Sequence, residues 1–283
     1  MKKEIDLISY EEILGETGQI KQISVSELYD FKNHPFQVKE DKEFSALLES
    51  IRENGVLTPC IARSRTEGGY ELISGHRRKK ACEKLEIKTV PVIIKKFSDD
   101  EAAILVVDSN IQRQKISYRE KARAYSMKYE AMRHQGKKGG LTLDTMSAML
   151  GESKRSIQRY ISLSHLSDEL LDKIDSKQIP PLAGVELSFL NPEQQEIVLR
   201  VINQSGRRIN KKQADNLRKL AEANELTETT TKEILQKKII TKTVYDYVLL
   251  SPADITKYFG ESYDKKQVLS VIFDLLSKWK NNN

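Results

Sequence analysis

The sequence predicts an α+β domain, then an all-α domain, then a small α+β C-terminal region. Three observations support this. Strand-like and helix-like segments alternate over residues 19–115, capped helical segments with short loops follow over 116–222, and a β-rich run lies between helical patterns within 223–283. Residues 1–18 are assigned to an N-terminal extension. A chain of 283 residues is long enough for several cores.

The first domain is predicted from hydrophobic spacing and turn residues. Phe44, Leu47, Leu48 and Ile51 recur at helical spacing, and Asn54-Gly55 ends that helix. Ser98 begins another helix, with acidic residues in its first turn. The predicted strands are 19–25, 60–63, 70–73 and 89–95, the middle two forming a hairpin, and a further helix is predicted at 76–85.

The second domain begins with a capping box, because Ser117 is followed three residues later by Glu120. The spacing of Ala122, Tyr125, Tyr129 and Met132 predicts the buried face of the helix that follows. Glycines and lysines at 136–140 end that helix. Short helices with small loops are then expected to about residue 222.

Two short helices around a tight turn are predicted at 143–163, as in a helix-turn-helix. Leu143, Met146 and Leu150 face one side of the first helix, and Gly151 can adopt the positive φ of such a turn. The second helix would present side chains to DNA phosphates and base edges. These candidate DNA-binding residues are Ser153, Lys154, Arg155, Ser156, Gln158 and Arg159. The alternative is a helical hairpin with a solvated basic face.

The excess of basic over acidic residues is concentrated in the middle of the chain. Residues 1–110 carry 17 basic and 20 acidic side chains, residues 111–220 carry 21 and 12, and residues 221–283 carry nine of each. The net charge of +6 therefore comes from the middle third. Such a block is typical of a domain that binds a polyanion, although a basic surface without a partner has the same composition.

The composition argues against secreted, membrane-spanning, disulfide-bonded and zinc-binding proteins. The N-terminus turns acidic at once, and no apolar run approaches the roughly 18 residues of a membrane span, so a cytoplasmic protein is expected. Cys60 and Cys82 form no CxxC pair, which predicts two buried free thiols rather than a disulfide framework or a zinc site.

Two motifs in the first domain have phosphate-binding chemistry. Residues 75–78, Gly-His-Arg-Arg, lie at a strand-to-helix junction, where free N–H groups and guanidinium forks can meet phosphate oxygens. Residues 108–113, Asp-Ser-Asn-Ile-Gln-Arg, lie between two helices. Their oxygen atoms suit a hard cation such as Mg²⁺, and their arginine suits a phosphate.

The order of motifs at 55–59, 75–81, 110–113 and 143–163 resembles the ParB family of DNA-partition proteins over about residues 19–220. The whole chain, including Ile255 to Phe259, looks most like ParB-like proteins of plasmids and integrative conjugative elements in Gram-positive bacteria. The resemblance implies a ParB/sulfiredoxin-like N-terminal domain that binds CTP with Mg²⁺. It also implies a central domain that recognises a palindromic DNA site, and a C-terminal region that forms a homodimer.

In that family, nucleotide and DNA together close a clamp that slides onto neighbouring DNA, usually with a ParA-type ATPase as partner. The resemblance would place the protein on nucleoid or plasmid DNA. By motif matching, Asn110 would hold Mg²⁺. The nucleotide-binding residues implied are Gly75, His76, Arg77 and Arg78 with Asn110, Gln112 and Arg113 around the phosphates, and Thr58 and Arg63 near the cytidine.

The chain departs from the family pattern at three positions. His76 replaces a glutamate, Lys80 replaces an arginine, and Ser109 replaces the glutamate that precedes the asparagine. Loss of that carboxylate weakens a Mg²⁺ site and removes a group that could orient water. The resemblance still implies CTP binding, whereas the lost carboxylate leaves open whether the protein hydrolyses CTP weakly.

Two other functions compete with a partition clamp. A transcriptional regulator on the same scaffold would bind its operator without nucleotide. An enzyme is disfavoured, because Gly75 occupies the position of the catalytic cysteine of sulfiredoxin and no acidic metal cluster supports a nuclease. The apolar face of Val268, Ile272, Leu275 and Trp279 either forms a dimer or packs on the preceding strand.

Overall fold

The computed structural model describes residues 20–111, 116–135, 139–236, 252–260 and 264–281. The chain divides into two units, Met1–Gln236 and Lys237–Asn283. Gln112, Arg113 and the β-rich run at 239–250 lie outside the described residues.

A five-stranded mixed sheet begins the first unit. Its spatial order is β1-β5-β3-β4-β2, with antiparallel β1–β5 and β3–β4 pairs and parallel β3–β5 and β2–β4 pairs. The predicted strands are confirmed, and the short β2 was not predicted because three residues show no periodicity. The strands are β1 (Ile20–Ser24), β2 (Leu28–Asp30), β3 (Cys60–Ser64), β4 (Tyr70–Ser74) and β5 (Thr89–Ile94).

Helices pack on both faces of this sheet. α1 (Lys42–Asn54) and α2 (His76–Lys84) share a core with Cys60 and Leu72. α3 (Asp99–Ile111) shares the opposite core with Ile61 and Ile73. Neighbouring strand residues enter different cores because side chains alternate across a sheet.

The helical part of the first unit has eight described helices. They are α4 (Tyr118–His134), α5 (Gly139–Leu150), α6 (Lys154–Leu163), α7 (Asp168–Asp175), α8 (Pro181–Leu187), α9 (Pro192–Ser205), α10 (Lys211–Glu222) and α11 (Glu228–Gln236). α11 follows the boundary predicted at residue 222. It packs on α9 and α10 and buries Thr231 and Leu235, so the helical part continues to Gln236.

A single core crosses the boundary predicted between residues 115 and 116. α3 lies between the sheet and α4, and its apolar residues surround the helix rather than forming one stripe. Phe31 and Ile73 from the sheet region therefore share a cluster with Tyr125, Met146 and Ile157 from the helical region. The two predicted domains therefore share one packed core.

The second unit contains α12 (Pro252–Phe259) and α13 (Lys265–Asn281). Of the predicted apolar face, Val268 is buried, whereas Leu275 and Trp279 expose 61% and 68% of their surface. No helix in the described part of the chain combines the length and apolar character needed to cross a membrane.

Candidate functional site

Gly75 forms the junction between β4 and α2. Its φ of 112° is a conformation that L side chains rarely adopt, and an added Cβ would lie 2.5 Å from Sγ of Cys60. The close approach predicted for this glycine therefore occurs against the protein's own strand. Burial raises the pKa of Cys60 to about 11, so its thiol is a poor nucleophile.

Arg78 connects α2 to the loop before β3. Its Nη1 donates to the carbonyl oxygens of Thr58 and Pro59, both at 2.6 Å. The structure thus brings together Gly75, Arg78 and Thr58, three of the predicted nucleotide-binding residues. The guanidinium holds the loop at the start of α2.

Arg77 connects α2 to α1. Its Nη2 lies 2.6 Å from Oδ1 of Asp41, the residue that caps α1 by accepting the N–H of Phe44. The Arg77 hydrogen bond and the Phe44 amide hold the pKa of Asp41 below its ordinary value. A phosphate that bound Arg77 would compete with this carboxylate.

His76 points into a separate cavity. Only 7% of its surface is exposed, and its ring centroid lies 3.9 Å from that of His34. The cavity, of about 380 Å³, is also lined by Asp30 and Lys79. Burial alone would raise the pKa of Asp30, but the hydrogen bond from Lys79 lowers it below its ordinary value. The structure does not place His76 with Arg77 and Arg78.

Arg63 is held at a distance from Gly75. It lies three residues along β3 from Cys60, about 10 Å away and on the opposite face of the sheet. Its guanidinium binds Glu71 at 2.6 Å and Asp99 at 2.7 Å, and donates to the carbonyl of Phe97 at 3.2 Å. These contacts fix Arg63 between β4 and the start of α3.

Asn110 lies near the end of α3 and exposes 4% of its surface. Its Nδ2 donates to the carbonyl of Val106 at 2.7 Å and to Oγ of Ser109 at 3.1 Å. Asp108 forms an ion pair with the fully buried Lys128 of α4. The nearest carboxylate to Ser109 in sequence is therefore engaged within the protein.

The described residues around Asn110 supply few ligands for Mg²⁺. No three of their histidine, cysteine, aspartate or glutamate side chains group as ligands. Mg²⁺ in proteins is held by one or two carboxylates together with substrate phosphates. Asn110 offers one amide oxygen, and Asp108 is paired with Lys128.

The turn at 151–153 has the positive φ and the helix cap that the sequence predicts before α6. Gly151 has a φ of 65°, and Ser153 caps α6 by accepting the N–H of Ser156 at 3.2 Å. Ile157 is fully buried. Ser147 donates to the carbonyl of Glu152 at 2.7 Å, which ties α5 to the turn.

Glu152 holds α6 against α4, and sequence reasoning treated it only as a turn residue. Its Oε1 accepts from Nζ of Lys121 and from the hydroxyl of Tyr125, each at 2.8 Å, and its Oε2 accepts from Ser156 at 3.0 Å. Burial alone would raise the pKa of Glu152, but these three hydrogen bonds lower it below its ordinary value. Lys121 and Tyr125 lie 31 and 27 residues before Glu152, so no local spacing indicated these two partners.

The six predicted DNA-binding residues divide into two groups. Ser153 and Ser156 serve the turn, and Lys154 pairs with Asp144. Arg155 and Gln158 are exposed, Arg159 is half-buried, and no ion pair engages either arginine among the residues described. The side chains available to a ligand are therefore Arg155, Gln158 and Arg159.

Replacing Glu152 with glutamine should lower the free energy of unfolding by about 1 kcal/mol near neutral pH, because charge-assisted hydrogen bonds to Lys121, Tyr125 and Ser156 weaken. The folded-state pKa is depressed, so this stabilisation is complete above the unfolded-state pKa. It is lost as pH falls through the folded-state pKa. Urea unfolding at about pH 7 and about pH 3 measures both effects.

The exposed Glu130 provides the control, since its one ion pair among the described residues is with Arg133, three residues along α4. Glu130→Gln should change stability by a few tenths of a kcal/mol. An equal loss for Glu152→Gln at both pH values would contradict the assigned ionisation.

Residues 10–111 match the family model of the ParB N-terminal domain. The first part of the chain is therefore a domain of the ParB type. A nucleoid occlusion protein of Bacillus velezensis is 30% identical over 208 residues, which cover 73% of this chain and 71% of that protein. The chain belongs to the ParB family.

Other relatives share less of their length with the chain. A probable chromosome-partitioning protein ParB of Vibrio cholerae is 28% identical, over 66% of this chain and 61% of that protein. The chain spans only 55–56% of the length of two further nucleoid occlusion proteins. A solved structure of C-terminally truncated ParB from Caulobacter crescentus with its centromeric parS site is similar at a TM-score of 0.40. It is 18% identical and covers 72% of this chain and 99% of that one.

Proposed function

We propose that this protein is a site-specific DNA-binding partition protein of a plasmid or conjugative element, and that CTP gates its closure as a clamp on DNA. The proposal rests chiefly on α6, which carries Arg155, Gln158 and Arg159 at its surface while Ile157 and the Glu152 hydrogen bonds fix its other side. A rigid helix with exposed guanidinium and amide groups suits recognition in the major groove.

Arg77 and Arg78 are the residues that would hold CTP phosphates. Both lie in the first turn of α2, which contains no acidic residue. Arg77 would exchange Asp41 for a phosphate oxygen, and this exchange would release the contact between α2 and α1. Arg78 would keep the Thr58 loop beside the nucleotide.

A change in the sheet domain would reach α6 through direct contacts. Glu120 at the start of α4 accepts the N–H of Gln37 at 3.1 Å and pairs with Lys39 at 3.4 Å. α3 packs on α4, and α4 holds α6 through Glu152. Movement of the segment around Gln37 would therefore shift the α4 surface on which α6 rests.

A homodimer would supply the two reading helices that a palindromic site requires. Leu275 and Trp279 of α13, both largely exposed, are the proposed interface. A ParA-type ATPase is the expected partner, with the protein in the cytoplasm on nucleoid or plasmid DNA. The relatives reported above are named for chromosome partition and nucleoid occlusion, so the plasmid or conjugative-element role rests on the sequence resemblance alone.

Calorimetry with CTP, ATP and GTP, with and without a DNA site selected from random-sequence duplexes, tests the nucleotide step. Of the three nucleotides, only CTP should bind. Arg77→Ala should weaken the affinity for CTP about 10- to 100-fold through loss of a charge-assisted contact. The control is Arg52→Ala, which removes an exposed arginine paired with Glu49 on α1. Equal binding of the three nucleotides, or an equal loss in both variants, would refute CTP gating.

A transcriptional regulator without nucleotide switching is the second candidate. It is favoured by the pairing of Asp108 with Lys128 beside Ser109, which leaves no free carboxylate at this point of α3. Such a protein would bind the same selected DNA equally well with and without CTP, and it would not load onto adjacent DNA.

A further inference from the structure

A second group of cations lies far from α6 in sequence, where α9 turns into α10. Arg207, Arg208, Lys211 and Lys212 are all exposed. The loop beneath them is fixed, because Ile209 is buried and the side chain of Asn210 accepts the N–H of Gln213 at 3.0 Å. Arg207 donates to the carbonyl of Leu235 at 3.2 Å and so anchors the loop to α11.

The other three cations form no ion pair in the described part of the chain, and this distinguishes them from their neighbours. Arg200 pairs with Glu196 and Glu228, Arg218 pairs with Glu186 and Glu222, and Lys219 pairs with Asp215. No ion pair reaches Arg208, Lys211 or Lys212. These three form the α10 patch.

The positive charges of the α10 patch do not stabilise the helix at whose start they lie. Lys211 and Lys212 begin α10, whose first turn has no acidic residue, and the helix dipole disfavours cations at a helix start. The side chain of Asn210 caps the N–H of Gln213. Because the patch consists of three cationic side chains, its ligand would be an anion.

α10 and α6 belong to one packed group of helices. α8 contacts both α6 and α10. With packed helix axes about 8–10 Å apart, α10 is a second neighbour of α6. One turn of B-DNA is about 34 Å long, so a duplex bound to α6 extends well beyond a neighbouring helix.

We propose that Arg208, Lys211 and Lys212 form a second, sequence-independent contact with the phosphate backbone of the DNA that α6 reads. The inference rests on the proposed DNA-binding function. α6 supplies sequence preference, and the α10 patch supplies affinity that depends on salt. Each neutralised phosphate contributes about 0.9 to the slope of log affinity against log salt.

The test compares two variants with the same charge change. The patch variant is Arg208→Gln/Lys211→Gln/Lys212→Gln. The control is Arg133→Gln/Lys219→Gln/Lys232→Gln, in which each lost cation is paired within its own helix. Dissociation constants are measured against NaCl concentration on the selected duplex and on a random-sequence duplex, with circular dichroism to verify folding.

The patch variant should reduce the salt slope by about 2–3 on both duplexes and keep the ratio of their affinities, whereas the control should leave the slope unchanged. If the triple variant fails to fold, Lys212→Gln alone should reduce the slope by about 1. A slope equal to the control, or a loss confined to the selected duplex, would overturn the inference. If the unmodified protein selects no duplex, the proposed function fails instead.

Discussion

Replacement of Arg155 with alanine is expected to remove most of the preference for the selected DNA site while random-sequence binding changes little. Arg155 is exposed near the start of α6 and has no ion pair among the described residues, so its guanidinium is available for base edges. A bidentate contact to a base pair is worth about 1–3 kcal/mol, which corresponds to roughly 5- to 150-fold in affinity. Competition binding between the selected and random duplexes measures the ratio directly.

Arg133→Ala is the matched control. Arg133 is also an exposed helical arginine, but it lies at the end of α4 and pairs with Glu130. Its loss should lower affinity for both duplexes slightly and equally. If the two variants behave alike, α6 does not read sequence, and the DNA-binding surface must lie elsewhere.

Asp108→Asn is expected to lower the free energy of unfolding by about 3 kcal/mol. Lys128 is fully buried in α4, and the substitution removes the carboxylate that compensates its charge. Loss of one partner of a buried ion pair typically costs 3–5 kcal/mol, and the partial exposure of Asp108 favours the lower end. Urea unfolding followed by circular dichroism gives the value.

Two further variants distinguish loss of the Asp108–Lys128 ion pair from other effects of the Asp108 substitution. Asp215→Asn breaks an exposed pair with Lys219 and should cost well under 1 kcal/mol. The double variant Asp108→Asn/Lys128→Met removes both charges and should recover most of the loss. If the double variant is no more stable than Asp108→Asn, the ion pair does not account for the effect.

The Asp108–Lys128 pair lies where hydrophobic spacing predicted the buried face of α4 incompletely. Helical spacing predicts a buried face of Ala122, Tyr125, Tyr129 and Met132, and the structure leaves Tyr129 only partly buried while burying Lys128 completely. α4 is covered by α3 on one side and by α5 and α6 on another, so its buried surface is wider than one stripe. A lysine inside that surface required a carboxylate from another helix.

Local chemistry was readable from the sequence alone. The capping box at Ser117, the positive-φ turn at Gly151, the strand-to-helix junction at Gly75 and four of the five strands depend on residues within a few positions of each other. The same is true of the exposed face of α6, because inward packing of Ile157 determines which neighbours point outward.

Tertiary structure alone decided which side chains meet across the fold. It paired Arg63 with Glu71 and Asp99, turned His76 toward His34, and brought Lys121 and Tyr125 to Glu152. It also joined the two predicted domains through one core around α3. Local spacing determines the face on which a side chain lies, but its partner depends on the packing of distant segments, which one helix or strand does not encode.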